Sequence, residues 1–292
     1  MRCSTAGRLA SVLGMLFSVA CNDQVEVGAF NGQPVGGDAA SDGGSPCLVT
    51  SCQNHVYACG DCVDNDGDGL ADSDDPDCLT PCQNAEDTFY SAIPGSSPMR
   101  CVQDCYFDQD TGSGNDECLW THRCDPLEVS PDFYPEGSEC AYDAATTLGS
   151  LGQLKDCASL MSSQPSACDQ VCRPLTPNGC DCFGCCQVPG LPNSIWLGSL
   201  RPDGSPSCNS KTTGVPSDCH PCTQVSSCVN PCERCELCVG KRSVPQDCSQ
   251  DNDAASPPSQ CPAGVQPCGL KGQRTCAPGY YCITGCCYET VR

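Results

Sequence analysis

Apolar and aromatic side chains are scarce in this chain of 292 residues. Phe, Trp and Tyr make up 5% of it, and the hydrophobic share of 39% includes 34 cysteines. Without cysteine, that share falls to about 27%, against roughly 45–50% in ordinary globular chains. The chain is long enough for one large hydrophobic core, but it lacks the side chains to fill one. This shortage predicts that covalent cross-links replace much of the usual packing.

Basic residues are also few, with 14 Lys and Arg against 36 Asp and Glu. The formal net charge is −22, and it becomes about −24 once the two N-terminal arginines are removed with a signal peptide, as proposed below. Such a charge argues against nucleic acid or an anionic lipid surface as a partner. It favours calcium or a cationic partner.

Familiar catalytic patterns are absent. The three histidines, His55, His122 and His220, lie outside any H-E-x-x-H pattern, and the chain has neither a G-x-S-x-G elbow nor a Walker A loop. We therefore predict that the protein is not an enzyme. We interpret His122 as a locally packed side chain rather than part of a binding patch, and Trp196 as a core anchor.

Long hydrophobic runs are missing apart from one short stretch near the N-terminus. Arg2 and Arg8 precede residues 9–17 (LASVLGMLF), which are followed by Ser18-Val19-Ala20. A basic start, a short apolar stretch and a small-x-small site are typical of a secretory signal, and the stretch is shorter than the roughly 20 residues of a membrane span. The pattern predicts a signal peptide over residues 1–20 and an exported protein.

Cys21 directly follows this signal, and the segment resembles the lipobox of bacterial lipoproteins, with Ser18 in place of the usual Leu. The resemblance implies lipidation at Cys21 and attachment to the outer membrane or cell surface. The alternative is cleavage after Ala20, with Cys21 free or paired and the protein periplasmic or secreted. Residues 21–46 are rich in Gly, Ala, Ser and Asp and are predicted to form a disordered tether.

Cysteine is the residue that the chain has in excess, at about 12% of all positions, above the roughly 8–10% that marks a disulfide scaffold. In an exported protein these thiols pair. Setting aside Cys3 and Cys21 leaves an even number, 32. The predicted fold is small and disulfide-rich, mostly irregular, with several disulfide knots in series, short strands and one or two short helices.

Composition divides the rest of the chain into three segments: 47–82 around an acidic loop, 83–190 with short helices, and 191–292. Apolar residues at helical spacing predict one helix over residues 148–161 and a second over 167–172, which Pro165 caps. Residues 194–200 (SIWLGSL) predict a strand. The adjacent cysteine pairs at 185–186 and 286–287 are each predicted to bond two different partners.

The strongest chemical pattern is residues 64–75 (DNDGDGLADSDD), which fits the D-x-D-x-D-G loop that wraps Ca²⁺. Ca²⁺ prefers six to eight oxygen ligands, and alternate carboxylates converge when the chain curls around it at a glycine such as Gly69. The ligands that this spacing predicts are the side chains of Asp64, Asp66, Asp68, Asp72 and Asp75 and the carbonyl of Leu70. The alternative is a solvated acidic turn without an ion.

This loop resembles those of thrombospondin type 3 repeats, dockerins and EF-hands, over about 15 residues. The type 3 repeat is the most similar, because cysteines also bracket its loops, as Cys62 and Cys78 do here. The closing residue is Asp75 rather than the Glu of an EF-hand, and no helical pattern flanks the loop. The resemblance implies a structural Ca²⁺ rather than a sensor.

Two cysteine clusters allow other chemistry. Cys219-His220-Pro221-Cys222 resembles the redox pair of thioredoxin-like enzymes, and Cys232, Cys235 and Cys238 have spacings compatible with zinc or iron–sulfur ligation. In an exported chain, structural disulfides explain both better.

Most of the chain resembles cysteine-rich lipoproteins of Gram-negative bacteria with large genomes. The cysteine blocks that carry this resemblance lie at residues 180–186 and 230–238. It implies a location and an architecture: a lipid-anchored surface protein with a binding, structural or adhesive role toward a surface or extracellular protein or glycan. The alternatives are a secreted inhibitor or toxin-like module, and a thiol-disulfide oxidoreductase using Cys219 and Cys222.

Overall fold

The computed structural model describes residues 47–91, 101–108, 118–127, 137–149, 154–248 and 260–290. The predicted signal peptide, Cys21 and the predicted tether lie outside these residues. Regular structure in the described part is short. Its strands are β1 Val102–Gln103, β2 Trp120–Thr121, β3 Thr147–Leu148, β4 Lys155–Asp156, β5 Cys185–Cys186, β6 Ser194–Trp196, β7 Pro221–Cys222, β8 Tyr280–Ile283 and β9 Cys286–Glu289, and its helices are α1 Cys157–Ser162 and α2 Ser166–Val171.

Disulfides form the framework. All 32 cysteines from Cys47 onward are paired, in 16 bonds, so the predicted disulfide-rich and mostly irregular fold is confirmed. Among these bonds are Cys47–Cys62, Cys59–Cys78, Cys105–Cys172, Cys118–Cys168, Cys182–Cys228, Cys185–Cys222 and Cys208–Cys219.

The strands pair in small antiparallel sheets. In the described part, β5, β6 and β7 make one three-stranded sheet, and the other sheets have two strands each. β8 and β9 form the longest pairing, a hairpin in register from Tyr280 opposite Glu289 to Ile283 opposite Cys286. The strand predicted over residues 194–200 is present only at its start, as β6, and its Trp196 is buried, as predicted.

The helical predictions are confirmed in part. α2 begins after Pro165 and ends at Val171, close to the predicted helix. The helix predicted over residues 148–161 is wrong at its start, because Leu148 lies in β3, opposite Lys155 in β4. α1 starts only at Cys157, where the Asp156 carboxylate accepts a hydrogen bond from the amide of Ser159, 2.8 Å away, and caps the first turn.

The core of the described part consists of two large clusters of buried residues and a small third one, formed by Cys185, Trp196 and Cys222. In the larger one, Leu79, Phe89, Tyr106, Ile195 and Ile283 come from all three predicted segments. The second cluster is rich in sulfur, since seven of its eleven buried residues are cysteines. Disulfide sulfur therefore occupies interior volume that aliphatic side chains fill in most proteins, as the composition predicted.

Contacts cross the segment boundary predicted at residues 190 and 191. The adjacent cysteines of β5 have different partners: Cys186 bonds the nearby Cys180, whereas Cys185 bonds Cys222 on the far side of that boundary. Cys286 and Cys287 likewise bond Cys261 and Cys276. The prediction that adjacent cysteines reach separate partners is confirmed, and each pair joins one backbone point to two others.

Candidate metal centre

The acidic loop curls through two glycines. Gly67 and Gly69 have φ angles of +79° and +96°, in the left-handed region that side chains with a Cβ rarely adopt. Between them the chain turns back over Asp64, whose two carboxylate oxygens accept hydrogen bonds from the amides of Gly67 (2.7 Å) and Gly69 (2.9 Å). The first carboxylate of the motif is therefore held inside the turn.

The next two carboxylates continue this curl. Asp66 accepts a hydrogen bond from the amide of Asp68 at 2.9 Å, and Asp68 accepts one from the amide of Leu70 at 3.1 Å. Asp64, Asp66, Asp68 and Leu70 are exposed residues, and the side chain of Asp68 is 23% exposed. Lys211, from the Cys208–Cys219 loop, places its Nζ 3.6 Å from Oδ2 of Asp68. The loop thus presents accessible oxygens with one lysine beside them.

Asp75 closes the motif and is 1% exposed. One oxygen, Oδ1, accepts a hydrogen bond from the amide of Asp77 at 2.6 Å, whereas the buried Oδ2 has no hydrogen-bond partner. Burial, together with the charges of Asp77, Asp68 and Asp66, raises the pKa of Asp75 from 3.8 to about 6. A buried, unpartnered carboxylate oxygen close to exposed carboxylates fits the donor set of a Ca²⁺ site.

Asp72 has different neighbours. Both its oxygens lie within hydrogen-bonding distance of the Cys62 amide, at 3.1 and 3.3 Å, and the side chain is 5% exposed. Burial raises the pKa of Asp72 from 3.8 to about 7, and Asp61 and Glu86 are the charges that add to this rise. The Asp72 carboxylate therefore interacts with Cys62 and Glu86 rather than with the exposed carboxylates of the loop. Its role as a loop ligand stays a prediction.

Two further carboxylates were not identified from the sequence. Glu86, 2% exposed, accepts hydrogen bonds from the amides of Asn65 (2.6 Å) and Asp72 (2.8 Å), so it ties two points of the loop together. Asp77, 2% exposed, accepts hydrogen bonds from the amide (2.6 Å) and hydroxyl (2.9 Å) of Ser210. Both lie beyond the 12-residue motif, so the motif alone could not identify them.

The two cysteines that bracket the loop each bond a partner earlier in the chain. Cys62 pairs with Cys47 and Cys78 with Cys59. The bracket predicted from the sequence is therefore made by two disulfides, which anchor the two ends of the loop to residues 47–59. This anchoring restricts the motion of the loop, as expected of a structural rather than a sensor site.

The cysteine clusters at 219–222 and 232–238 are disulfide-bonded. Cys219 pairs with Cys208 and Cys222 with Cys185, so the two cysteines of the redox-like motif are not bonded to each other. Cys232 pairs with Cys238, and Cys235 with Cys248. The interpretation of both clusters as structural disulfides is confirmed, and this geometry removes the basis for a redox pair at Cys219 and Cys222.

His122 is buried against Trp196, and the centroids of the two rings are 4.7 Å apart. Burial lowers the pKa of His122 to about 3. The interpretation of His122 as a packed side chain is confirmed.

Comparison of the chain with protein-family models, with curated proteins and with solved structures finds no match. Within the described residues, no helix has both the length and the apolar character needed to cross a membrane.

Proposed function

We propose that this chain is an exported, lipid-anchored surface protein with a binding or structural role, whose acidic loop holds one structural Ca²⁺. The observation that carries the first part is the pairing of all 32 cysteines from Cys47 onward. Such a framework forms and persists in oxidising compartments and is rare in the cytosol. Together with the N-terminal signal pattern, it supports export.

The anchor in this proposal is a lipid on Cys21, after cleavage behind Ala20. Setting aside Cys3 and Cys21 leaves no odd cysteine, which agrees with a free Cys21 thiol being available for acylation. The acidic tether then separates the lipid from the first disulfide, Cys47–Cys62.

The calcium part of the proposal is supported by Asp75. Burying an ionised carboxylate without a partner is costly, and its Oδ2 lies buried without one. A Ca²⁺ bound by Asp64, Asp66, Asp68, the Leu70 carbonyl and Asp75 would supply the missing partner and neutralise the repulsion within the loop. Its role is to stabilise the segment that carries Leu79 and Phe89 into the core.

The proposed role is binding or structural rather than catalytic, with a surface or extracellular protein or glycan as partner. The described fold supports this because its cross-links oppose the unfolding that proteolysis requires.

The experiment that tests export and anchoring is the intact mass of protein purified from membranes and alkylated without reduction. We expect a mass that begins at Cys21, carries acyl chains there, and shows no alkylated cysteine. A Cys21→Ser variant, which keeps all 16 disulfides, is expected to leave the membrane fraction. An unacylated mass with several alkylated thiols would refute the proposal.

Calcium is tested separately by isothermal titration of the purified chain with CaCl₂. Asp66→Asn is the informative variant, because Asp66 is exposed and its loss leaves the core intact. Asp203→Asn is a matched control, since Asp203 is also an exposed aspartate whose carboxylate accepts a hydrogen bond from a backbone amide two residues later, that of Ser205. Equal calcium binding by the two variants would exclude the loop.

A further inference from the structure

Behind the acidic loop lie two buried carboxylates, those of Asp72 and Glu86, at 5% and 2% exposure. They are neighbours, because Oε1 of Glu86 accepts a hydrogen bond from the backbone amide of Asp72 at 2.8 Å. Only Asp72 belongs to the loop motif, and its carboxylate turns toward Cys62 and Glu86, as described above. The pair therefore forms a second acidic group distinct from the exposed oxygens of Asp66 and Asp68.

Compensation for these two charges is incomplete. Three backbone amides, those of Cys62, Asn65 and Asp72, donate to the pair. No Lys or Arg among the described residues forms an ion pair with Asp72 or Glu86. Buried carboxylates without a cation are strongly disfavoured, and proteins generally pair them or use them to coordinate metals.

Sulfur atoms of two disulfides contact these two carboxylates. The Cys47 sulfur lies 3.0 Å from Oδ2 of Asp72, and the Cys78 sulfur lies 3.5 Å from Oε1 of Glu86. These contacts are not hydrogen bonds, because a disulfide sulfur has no proton to donate. The sulfur atoms therefore exclude water without neutralising either charge.

A tyrosine from the far end of the chain, with an unpartnered hydroxyl, packs near this pair. Tyr281 lies in β8, which packs against the turn Asp72–Asp74, and it is 4% exposed. Its hydroxyl has no hydrogen-bond partner. Burial raises the pKa of Tyr281 well above 10, and Asp72 and Glu86 are the charges that contribute most after burial. A buried hydroxyl without a partner calls for a ligand or water between it and the two carboxylates.

We propose that Asp72, Glu86 and Tyr281 hold a second Ca²⁺, in the interior between the acidic loop and the C-terminal hairpin. All three groups offer oxygen, the donor that hard cations prefer, and the adjacent cysteines are disulfide-bonded and so offer no thiolate for zinc. Backbone carbonyls and water complete the coordination. This ion links residues 72–86 to β8, so it joins the first described segment to the last.

The test counts bound Ca²⁺ by equilibrium dialysis and follows Tb³⁺ emission excited through tyrosine, which requires a tyrosine close to the ion. Tyr281→Phe removes the proposed ligand, and its ring preserves the packing. Tyr280→Phe is the matched control, because Tyr280 lies on the same strand but is 42% exposed. Asp66→Asn reports on the loop site alone.

We expect two ions in the native protein and one in Asp66→Asn, which keeps its Tb³⁺ emission. Tyr281→Phe is expected to lose that emission, to bind the second Ca²⁺ roughly tenfold more weakly, and to lose no thermal stability in calcium-free buffer, since the hydroxyl has no partner there. A native count of one, abolished by Asp66→Asn and unchanged by Tyr281→Phe, would overturn the second site and leave the loop site standing. A single ion that survives Asp66→Asn but not Tyr281→Phe would refute the loop site alone. No bound ion would refute both sites.

Discussion

Asp181 and Asp75 are both aspartates with about 1% exposure, yet the regions around them differ. Asp181 lies beside the sulfur-rich core, and its two oxygens accept hydrogen bonds from the amides of Phe183 (3.0 Å), Cys185 (2.9 Å) and Val225 (2.7 Å). Asp75 lies under the acidic loop, and one of its oxygens has no partner. The backbone alone satisfies the first carboxylate, whereas it satisfies only one oxygen of the second.

The same contrast holds for the surroundings. Around Asp181, the disulfides Cys182–Cys228 and Cys185–Cys222 fix the backbone amides that donate to it. Around Asp75, the nearest charges are further carboxylates. A buried acid is therefore structural where cross-links present amides to it, and it is a ligand candidate where acids accumulate. The first region should depend on disulfides, and the second on calcium.

The largest expected effect comes from opening a disulfide of the sulfur-rich core. Cys182 and Cys228, which are 46 residues apart, close a long loop, so the double change to Ser should cost about 4 kcal/mol of unfolding free energy. Cys232 and Cys238 are 6 residues apart, and the same double change there should cost about 2 kcal/mol. Denaturant unfolding measures both, and equal losses would contradict the dependence on loop length.

The second-largest expected effect comes from replacing Asp181 or Asp75 with Asn, and it distinguishes the two regions. Asp181→Asn puts an NH₂ group against backbone donors and should cost about 1–3 kcal/mol, with or without Ca²⁺. Asp75→Asn should cost little in calcium-free buffer and should abolish most of the stabilisation that Ca²⁺ brings. Thermal unfolding with EDTA and with CaCl₂ distinguishes these outcomes. A calcium-dependent loss of stability in Asp181→Asn would contradict the difference between the two regions.

The dependence of stability on pH has a predictable sign. Burial raises the pKa of Asp72 to about 7 and that of Asp75 to about 6, from 3.8 in each case. Because the folded state then holds these protons more tightly than the unfolded state, their contribution is complete below about pH 3.8 and is lost as pH rises through 6 to 7. Without Ca²⁺, stability should therefore fall over that range.

Bound Ca²⁺ favours the ionised carboxylates, so it should reduce or reverse this fall. Unfolding followed from pH 4 to pH 8, with EDTA and with CaCl₂, measures the effect. Burial also raises the pKa of Asp181 to about 7. The double variant Asp72→Asn, Asp75→Asn is therefore the control that isolates the contribution of these two carboxylates to the pH dependence. An unchanged calcium-free slope in that variant would contradict the assignment.

The smallest effect concerns Lys211. Its ion pair with Asp68 is exposed, so it contributes less than about 1 kcal/mol to stability. Removing this cation should strengthen calcium binding at the loop by a few-fold, with a smaller change at high salt. Titration of Lys211→Met with CaCl₂ measures this, and Lys271→Met, which changes an exposed lysine outside the described ion pairs, is the control. Weaker binding in Lys211→Met would show that the lysine orders the loop instead.

Sequence reasoning succeeded where a local pattern carries the signal. Adjacent cysteines cannot easily bond each other, so the separate partners of Cys185 and Cys186 followed from their spacing. It failed at Leu148, where apolar spacing indicated a helix but the chain forms β3, because the strand partner Lys155 lies further along and propensity is weak beside pairing.

Composition was enough to predict a chain that is cross-linked, acidic and poor in conventional core, because composition limits what can be buried. The sequence also located the acidic loop, since the D-x-D-x-D-G spacing is local. The pairing of the cysteines, and the placement of Glu86 and Tyr281 near Asp72, depend on the folded chain. Those contacts join residues up to about 200 positions apart, so no local pattern predicts them. The disulfides and the shared core bring such residues together only once the chain has folded.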